Sequence, residues 1–146
     1  TSTIDGGQLT VNSNFLDYDG LKRSAEFKGA VSGDYIVPQQ HRSDIVGDKI
    51  ELSSEEMFID FNTQNIIGKQ NVQINTEEVK IECETVEYRY KDNILVINPL
   101  QENINNQLKL TSTSDKLKIK TCTATYATVD LKNEKLLLEG NVHIIF

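Results

Sequence analysis

The sequence predicts an all-β protein, an elongated antiparallel roll assembled from repeated β-hairpins, and three observations carry that expectation. Ile, Asn and Thr are plentiful and Trp is absent, a composition that leans towards strand and turn. A hairpin-like frame recurs four times along the chain, and internal repetition constrains a fold before any single element does. A second apolar segment precedes each frame at a nearly constant distance.

Length and composition set the bounds. The 146 residues, 38% of them apolar, suit one domain spanning 1–146. A net charge of −7 removes the general attraction on which sequence-independent nucleic-acid binding depends, so no nucleic-acid partner is expected. No run approaches the roughly 18 apolar residues of a membrane-spanning helix. Cys83 and Cys122 sit in separate alternating segments without a C-x-x-C pair, which argues against a zinc or thioredoxin-type site. They read as small core-facing strand residues, and spacing leaves open whether they pair.

The frames lie at 18–31 (YDGLKRSAEFKGAV), 59–72 (IDFNTQNIIGKQNV) and 129–142 (VDLKNEKLLLEGNV), aligned without gaps, with a weaker copy at 88–101 (YRYKDNILVINPLQ). Each of the first three opens with an apolar or aromatic residue and Asp, passes through a polar turn, and continues as an apolar strand to a small or polar pair and Val. The turns are built from Asp, Asn, Gly and Thr, which tolerate or hydrogen-bond tight backbone. The preceding segments start near 9 (LTVNSNFLD), 50 (IELSSEEMF), 79 (VKIECETVE) and 119 (IKTCTATYAT). The last is one residue longer, which a β-bulge in that strand would absorb. Residues 34–49 and 98–106 read as insertions between repeats.

Alternation at period two puts one apolar set inward: Val11, Leu16, Phe27, Val31, Met57, Ile59, Ile66, Val72, Ile81, Val86, Leu95, Ile97, Leu136, Leu138 and Val142. Hairpins that bury one face each must stack on their neighbours to close a core.

The segments FLDYDGLKRSAEFKGAV, MFIDFNTQNIIGKQNV and TVDLKNEKLLLEGNV resemble the repeats of the OstA-like domain of lipopolysaccharide transport. That family's repeats carry an A-D-x-x-x-Y-D segment, a turn and an A-x-F-x-G-N-V segment. Here Gln70 and Pro99 replace the usual Gly, and Asn14-Phe15, Glu56-Met57 and Thr85-Val86 replace the upstream Ala-Asp. The resemblance implies an open β-jellyroll in the periplasm of a Gram-negative cell. Family members include the bridge protein LptA, the inner-membrane-anchored LptC and the periplasmic part of LptD; the early first repeat is more like LptA than LptC. The implied partners are lipopolysaccharide, its lipid A acyl chains lying along the inward set, and other OstA-like domains such as LptC and LptD joined by edge-strand pairing. A head-to-tail homo-oligomer and the prior removal of a signal peptide or membrane anchor are also implied.

A lipid A ligand carries phosphates. Lys116, Lys118 and Lys120, alternating in KLKIK, would set three ammonium groups on one strand face to meet them, or would blunt an exposed edge.

Enzyme chemistry has little support. His41 and His143 lack partners at ligand spacing, and no G-x-S-x-G, H-E-x-x-H, P-loop or G-x-G-x-x-G pattern occurs. Asp17-Tyr18-Asp19-Gly20 lacks the rest of a calcium loop and reads as a turn. The pairs Glu55-Glu56 and Glu77-Glu78 read as solvent-facing rather than as a hydrolytic pair. No catalytic residue, metal or cofactor is expected. The competing readings are a structural or adhesive β-repeat protein and, more remotely, a carbohydrate-active enzyme.

Overall fold

Four hairpin turns of one length and one shape set the architecture. The computed structural model describes residues 2–4, 7–39, 47–98, 107–115 and 118–146. In the first hairpin β3 (Phe15–Asp19) turns into β4 (Ser24–Ile36), and in the second β5 (Lys49–Asp60) turns into β6 (Asn65–Asn75). In the third β7 (Val79–Arg89) turns into β8 (Ile94–Ile97), and in the last β11 (Tyr126–Asp130) turns into β12 (Lys135–Glu139). The closing pairs are Asp19 with Ser24, Asp60 with Asn65, Arg89 with Ile94 and Asp130 with Lys135.

The final residue of each turn is left-handed: Arg23 (φ 53°), Gln64 (φ 60°), Asn93 (φ 52°) and Glu134 (φ 53°). Three turns open with Asp, whose Oδ1 accepts the backbone N–H groups that the turn leaves unpaired. Asp19 receives Leu21 and Lys22, Asp60 receives Asn62 and Thr63, and Asp130 receives Asn133. A second bond from the Asn133 side chain helps hold the Asp130 carboxyl below the ordinary carboxylate range. The third hairpin has Arg89 at this place, and there Asn93 donates its N–H to the Tyr90 carbonyl at 3.1 Å.

The remaining strands are β1 (Ser2–Ile4), β2 (Gly7–Asn12), β9 (Leu108–Ser112), β10 (Thr121–Ala124) and β13 (His143–Ile145), and all thirteen join one antiparallel sheet. The sheet is folded over on itself because the long strands serve two layers. Val79–Glu82 of β7 pairs with β9, while Val86–Arg89 pairs with β8. The turn-proximal halves of β4 to β7 form one layer with β3, β8, β11 and β12. The distal halves form the other layer with β1, β2, β9, β10 and β13.

The fold line is made by bulges. Lys28 faces Glu56 and Val31 faces Ser54, which leaves Gly29 and Ala30 opposite Glu55 alone. The same shift separates Lys69 from Val72 against β7. Both bulged pairs are left-handed, Gly29 (φ 79°) with Ala30 (φ 46°) and Gln70 (φ 66°) with Asn71 (φ 52°); Gly140 (φ 78°) and Asn141 (φ 49°) repeat the geometry after β12. An extra residue on one strand bends it and increases its twist.

This geometry corrects the expected register of the fourth repeat. Lys120, not Ile119, faces Ser112, which pairs with Val79, so the preceding segments match in length without an added residue. The extra residue of the repeat lies on the returning strand. Ile119 is apolar and packs against the core from the link before β10, which is why its character suggested the wrong match.

Two buried clusters fill the space between the layers. The larger includes Ile74, Ile81, Val86, Ile97, Leu110, Cys122 and Val129, and the smaller comprises Leu9, Val31, Met57 and Ile59. The sheet does not close. Among the described residues β3 pairs only with β4 and β1 only with β2 at one end; β12 pairs only with β11 and β13 only with β10 at the other.

Candidate functional site

Residues directly opposed in antiparallel strands project to the same face, so the registers trace the interior row by row. In the first layer, Leu16, Phe27, Met57, Gly68, Val86, Ile97, Ala127 and Leu138 stand opposite one another next to the fold line. One step further out run Tyr18, Ala25, Ile59, Ile66, Tyr88, Leu95, Val129 and Leu136. In the second layer Val11, Gly33, Leu52, Ile74, Ile81, Leu110, Cys122 and Ile144 form the facing row. Leu9, Tyr35 and Ile50 lie beyond it.

All of the expected inward residues except two are buried or half-buried here, with Val31 and Val72 at the fold line itself. The exceptions correct the expectation. Leu16 belongs to an inward row but stands on the outermost strand, where no further strand covers it, and it is 61% exposed. Val142 follows the last bulge at the opposite end and is 45% exposed, although its counterparts Val31 and Val72 are buried. Burial at those positions comes from neighbouring strands, and an edge has none on one side.

The rows enclose an apolar groove. One cavity of about 120 Å³ lies between Leu52, Gly33 and Ile74 on one layer and Met57, Ile66, Val86 and Leu95 on the other. A second, of about 150 Å³, continues between Ile81, Leu110 and Val79 and the facing Val129 and Leu136. Ile50, Ile74, Leu95 and Leu131 line both, so the two form one trough. Missing side chains help to keep it open. A Cβ on Gly33 would come within 3.3 Å of Met57 Cε, and one on Gly68 equally close to Val86 Cγ1. Sequence reasoning omitted Leu52, Ile74, Ile50 and Leu131 from the lining. The alternation through Ile50 and Leu52 was the signal for two of them.

The remaining expected sites fall outside this arrangement. Lys116 lies outside the described residues. Lys118 and Lys120 are exposed in the link before β10 rather than on a strand face. The Lys120 backbone is bonded on both sides, its N–H to the Ile145 carbonyl and its carbonyl to the Ser112 N–H, both at 2.8 Å, so it blunts no free edge. His41 is also outside the described residues, and His143 is exposed on β13 opposite Thr123. Glu78 corrects the solvent-facing reading of the Glu77-Glu78 pair: it is only 3% exposed and its Oε2 accepts the Ser114 hydroxyl. Among the described residues no three His, Cys, Asp or Glu side chains cluster to hold a metal.

Cys83 and Cys122 are buried and free. Burial pushes the Cys83 thiol up to about 12 and raises that of Cys122 as well, which leaves both protonated and poorly nucleophilic.

An unclosed antiparallel sheet folded over an apolar trough defines an open β-jellyroll. No protein-family model matches the sequence, and no curated protein matches it either. Solved structures do match. LptH of Pseudomonas aeruginosa, described as the LptA homologous periplasmic component of the conserved lipopolysaccharide transport device, aligns with a TM-score of 0.68 over 95% of this chain and 94% of that chain, at 11% identity. The chain therefore has the fold of an LptA homologue, the fold that its repeat motifs led us to expect.

Proposed function

We propose that the protein is a non-enzymatic periplasmic module of lipopolysaccharide transport, more like LptA than LptC, that carries lipid A acyl chains in the trough between its layers. The observation that carries this reading is the continuity of the apolar lining through two adjoining cavities of an unclosed sheet. Burying an acyl chain there supplies about 0.8 kcal/mol per CH₂. The likeness to LptH supports the same reading.

The ends fit a chain of modules. Phe15 (73% exposed), Leu16 and Tyr18 mark the β3 edge, and Leu137, Ile145 and Phe146 (74% exposed) mark the β12 and β13 edges. Open strands flanked by apolar side chains suit β-augmentation, either with a second copy head to tail or with LptC- and LptD-like domains.

Photo-crosslinking tests the carrier reading. A benzoylphenylalanine at Phe27 or Ile74, both directed inward, should capture lipopolysaccharide, while one at the exposed Gln73 should not. Failure at both inward positions sinks the proposal. End-to-end assembly without lipid capture would instead mark a structural β-repeat protein.

A further inference from the structure

The lining of the trough includes a polar pair that carriage of plain hydrocarbon leaves unexplained. In the row occupied by Ile59, Ile66, Leu95 and Leu136 stands Tyr88, and its hydroxyl donates to Asn93 Oδ1 at 3.0 Å. Among the described residues that line the first cavity, Tyr35, Tyr88 and Asn93 are those whose side chains carry an oxygen or nitrogen. The Asn93 backbone is already committed, its N–H to the Tyr90 carbonyl and its carbonyl to the Leu131 N–H, both at 3.1 Å. Its side-chain Nδ2 donates to no protein group among the described residues.

The turn explains why an Asn tolerates this position but not why the residue there lines the cavity. Arg23, Gln64 and Glu134 occupy the same left-handed place in the other hairpins, and none of them lines either cavity.

We infer that Tyr88 and Asn93 form a selectivity element that favours acyl chains bearing an oxygen substituent close to the head end over unsubstituted chains. This rests on the lipid reading of the groove. Both residues sit at the turn end of the β7–β8 hairpin, away from the fold line, so a chain whose head lies at the lip brings its first few carbons to them. A hydroxyl or ester oxygen there accepts from Asn93 Nδ2. A bare methylene would cover the amide and strand its donor, a loss worth about tenfold in affinity for a half-buried group.

Displacement of the dye 1-aminoanthracene by tetradecanoic acid and by 3-hydroxytetradecanoic acid tests the assignment. The unaltered protein should bind the hydroxy acid about tenfold more tightly. Asn93→Gly, which keeps the left-handed turn and leaves no amide donor to strand, should abolish that preference by raising the affinity for tetradecanoic acid about tenfold, towards that for the hydroxy acid. Gln64→Gly, the same change in a turn away from the cavity, should retain it. Equal affinity for the two acids, or a preference that survives Asn93→Gly, overturns the inference and leaves the groove reading standing. Failure of both acids to displace bound dye overturns both.

Discussion

The side-chain amide of Asn98 reaches Thr125 across a break in the sheet, its Nδ2 donating to the Thr125 carbonyl at 3.2 Å. Its Oδ1 accepts the N–H groups of Glu84 and Thr85, at 3.1 and 3.3 Å, and its own N–H donates to the Thr85 carbonyl. β4 and β6 run through the fold line, but β8 stops at Ile97. Asn98 supplies the hydrogen bonds that a continuing strand would have made, and it is only 2% exposed.

Replacing Asn98 with Ala therefore strands buried backbone donors. The expected loss is about 2–4 kcal/mol in urea unfolding, at the upper end of single-residue effects. A loss below about 1 kcal/mol would show that water or a shifted backbone takes over these bonds.

The bulge positions predict a substitution of the opposite sign. Gln70 holds φ 66° where the first and last repeats have Gly29 and Gly140. Gln70→Gly removes the Cβ penalty of that conformation and should stabilise the protein by about 0.5 kcal/mol, the unfolded-state entropy of Gly offsetting part of the gain. The reverse change is expected to be costly at Gly140, where a Cβ would lie 2.7 Å from Thr125 Cβ. Thermal unfolding of Gln70→Gly beside Gly140→Ala checks both directions.

Filling the trough should block uptake without unfolding the sheet. Leu52 lines the first cavity between Gly33 and Ile74 and is only half-buried, so Leu52→Trp has room to occupy the space. Affinity for 1-aminoanthracene should fall by about tenfold or more, with the melting temperature lowered by only a few degrees. Unchanged dye binding would place the apolar site elsewhere.

Cys83 gives a pH dependence with a defined sign. Its folded thiol titrates at about 12, above the ordinary value of 9.0, because burial disfavours the thiolate. The stability it contributes is complete below about pH 9 and is lost as pH rises from there towards about 12. Between pH 9 and 11 the unaltered protein should lose more stability than Cys83→Ala. Iodoacetamide at pH 8 should label Cys83 only after unfolding; rapid labelling of the native protein would contradict the burial.

The hairpins were legible because their chemistry is local. Asp19, Asp60 and Asp130 announce three turns, and alternation in 25–31 and 136–138 identifies the inward face. The two-layer arrangement was not legible. β5 and β7 run unbroken through the fold line, whereas β2 and β3 are separated at Ser13-Asn14 and β10 and β11 at Thr125. That difference depends on pairing partners distant in sequence. The same cause exposes Leu16 and Val142, since the number of neighbouring strands is a property of the sheet and not of the residue, while Glu78 is buried where Thr113 and Ser114, distant in sequence, bond to the β6–β7 connection.

The bulges recurring along the fold line have a further consequence. They fix the angle between the layers, while the number of hairpins fixes how far the layers extend, so the width of the trough and its length are encoded separately. Removal of one complete hairpin, or insertion of another, would alter the capacity of the molecule without altering the profile that any occupant meets.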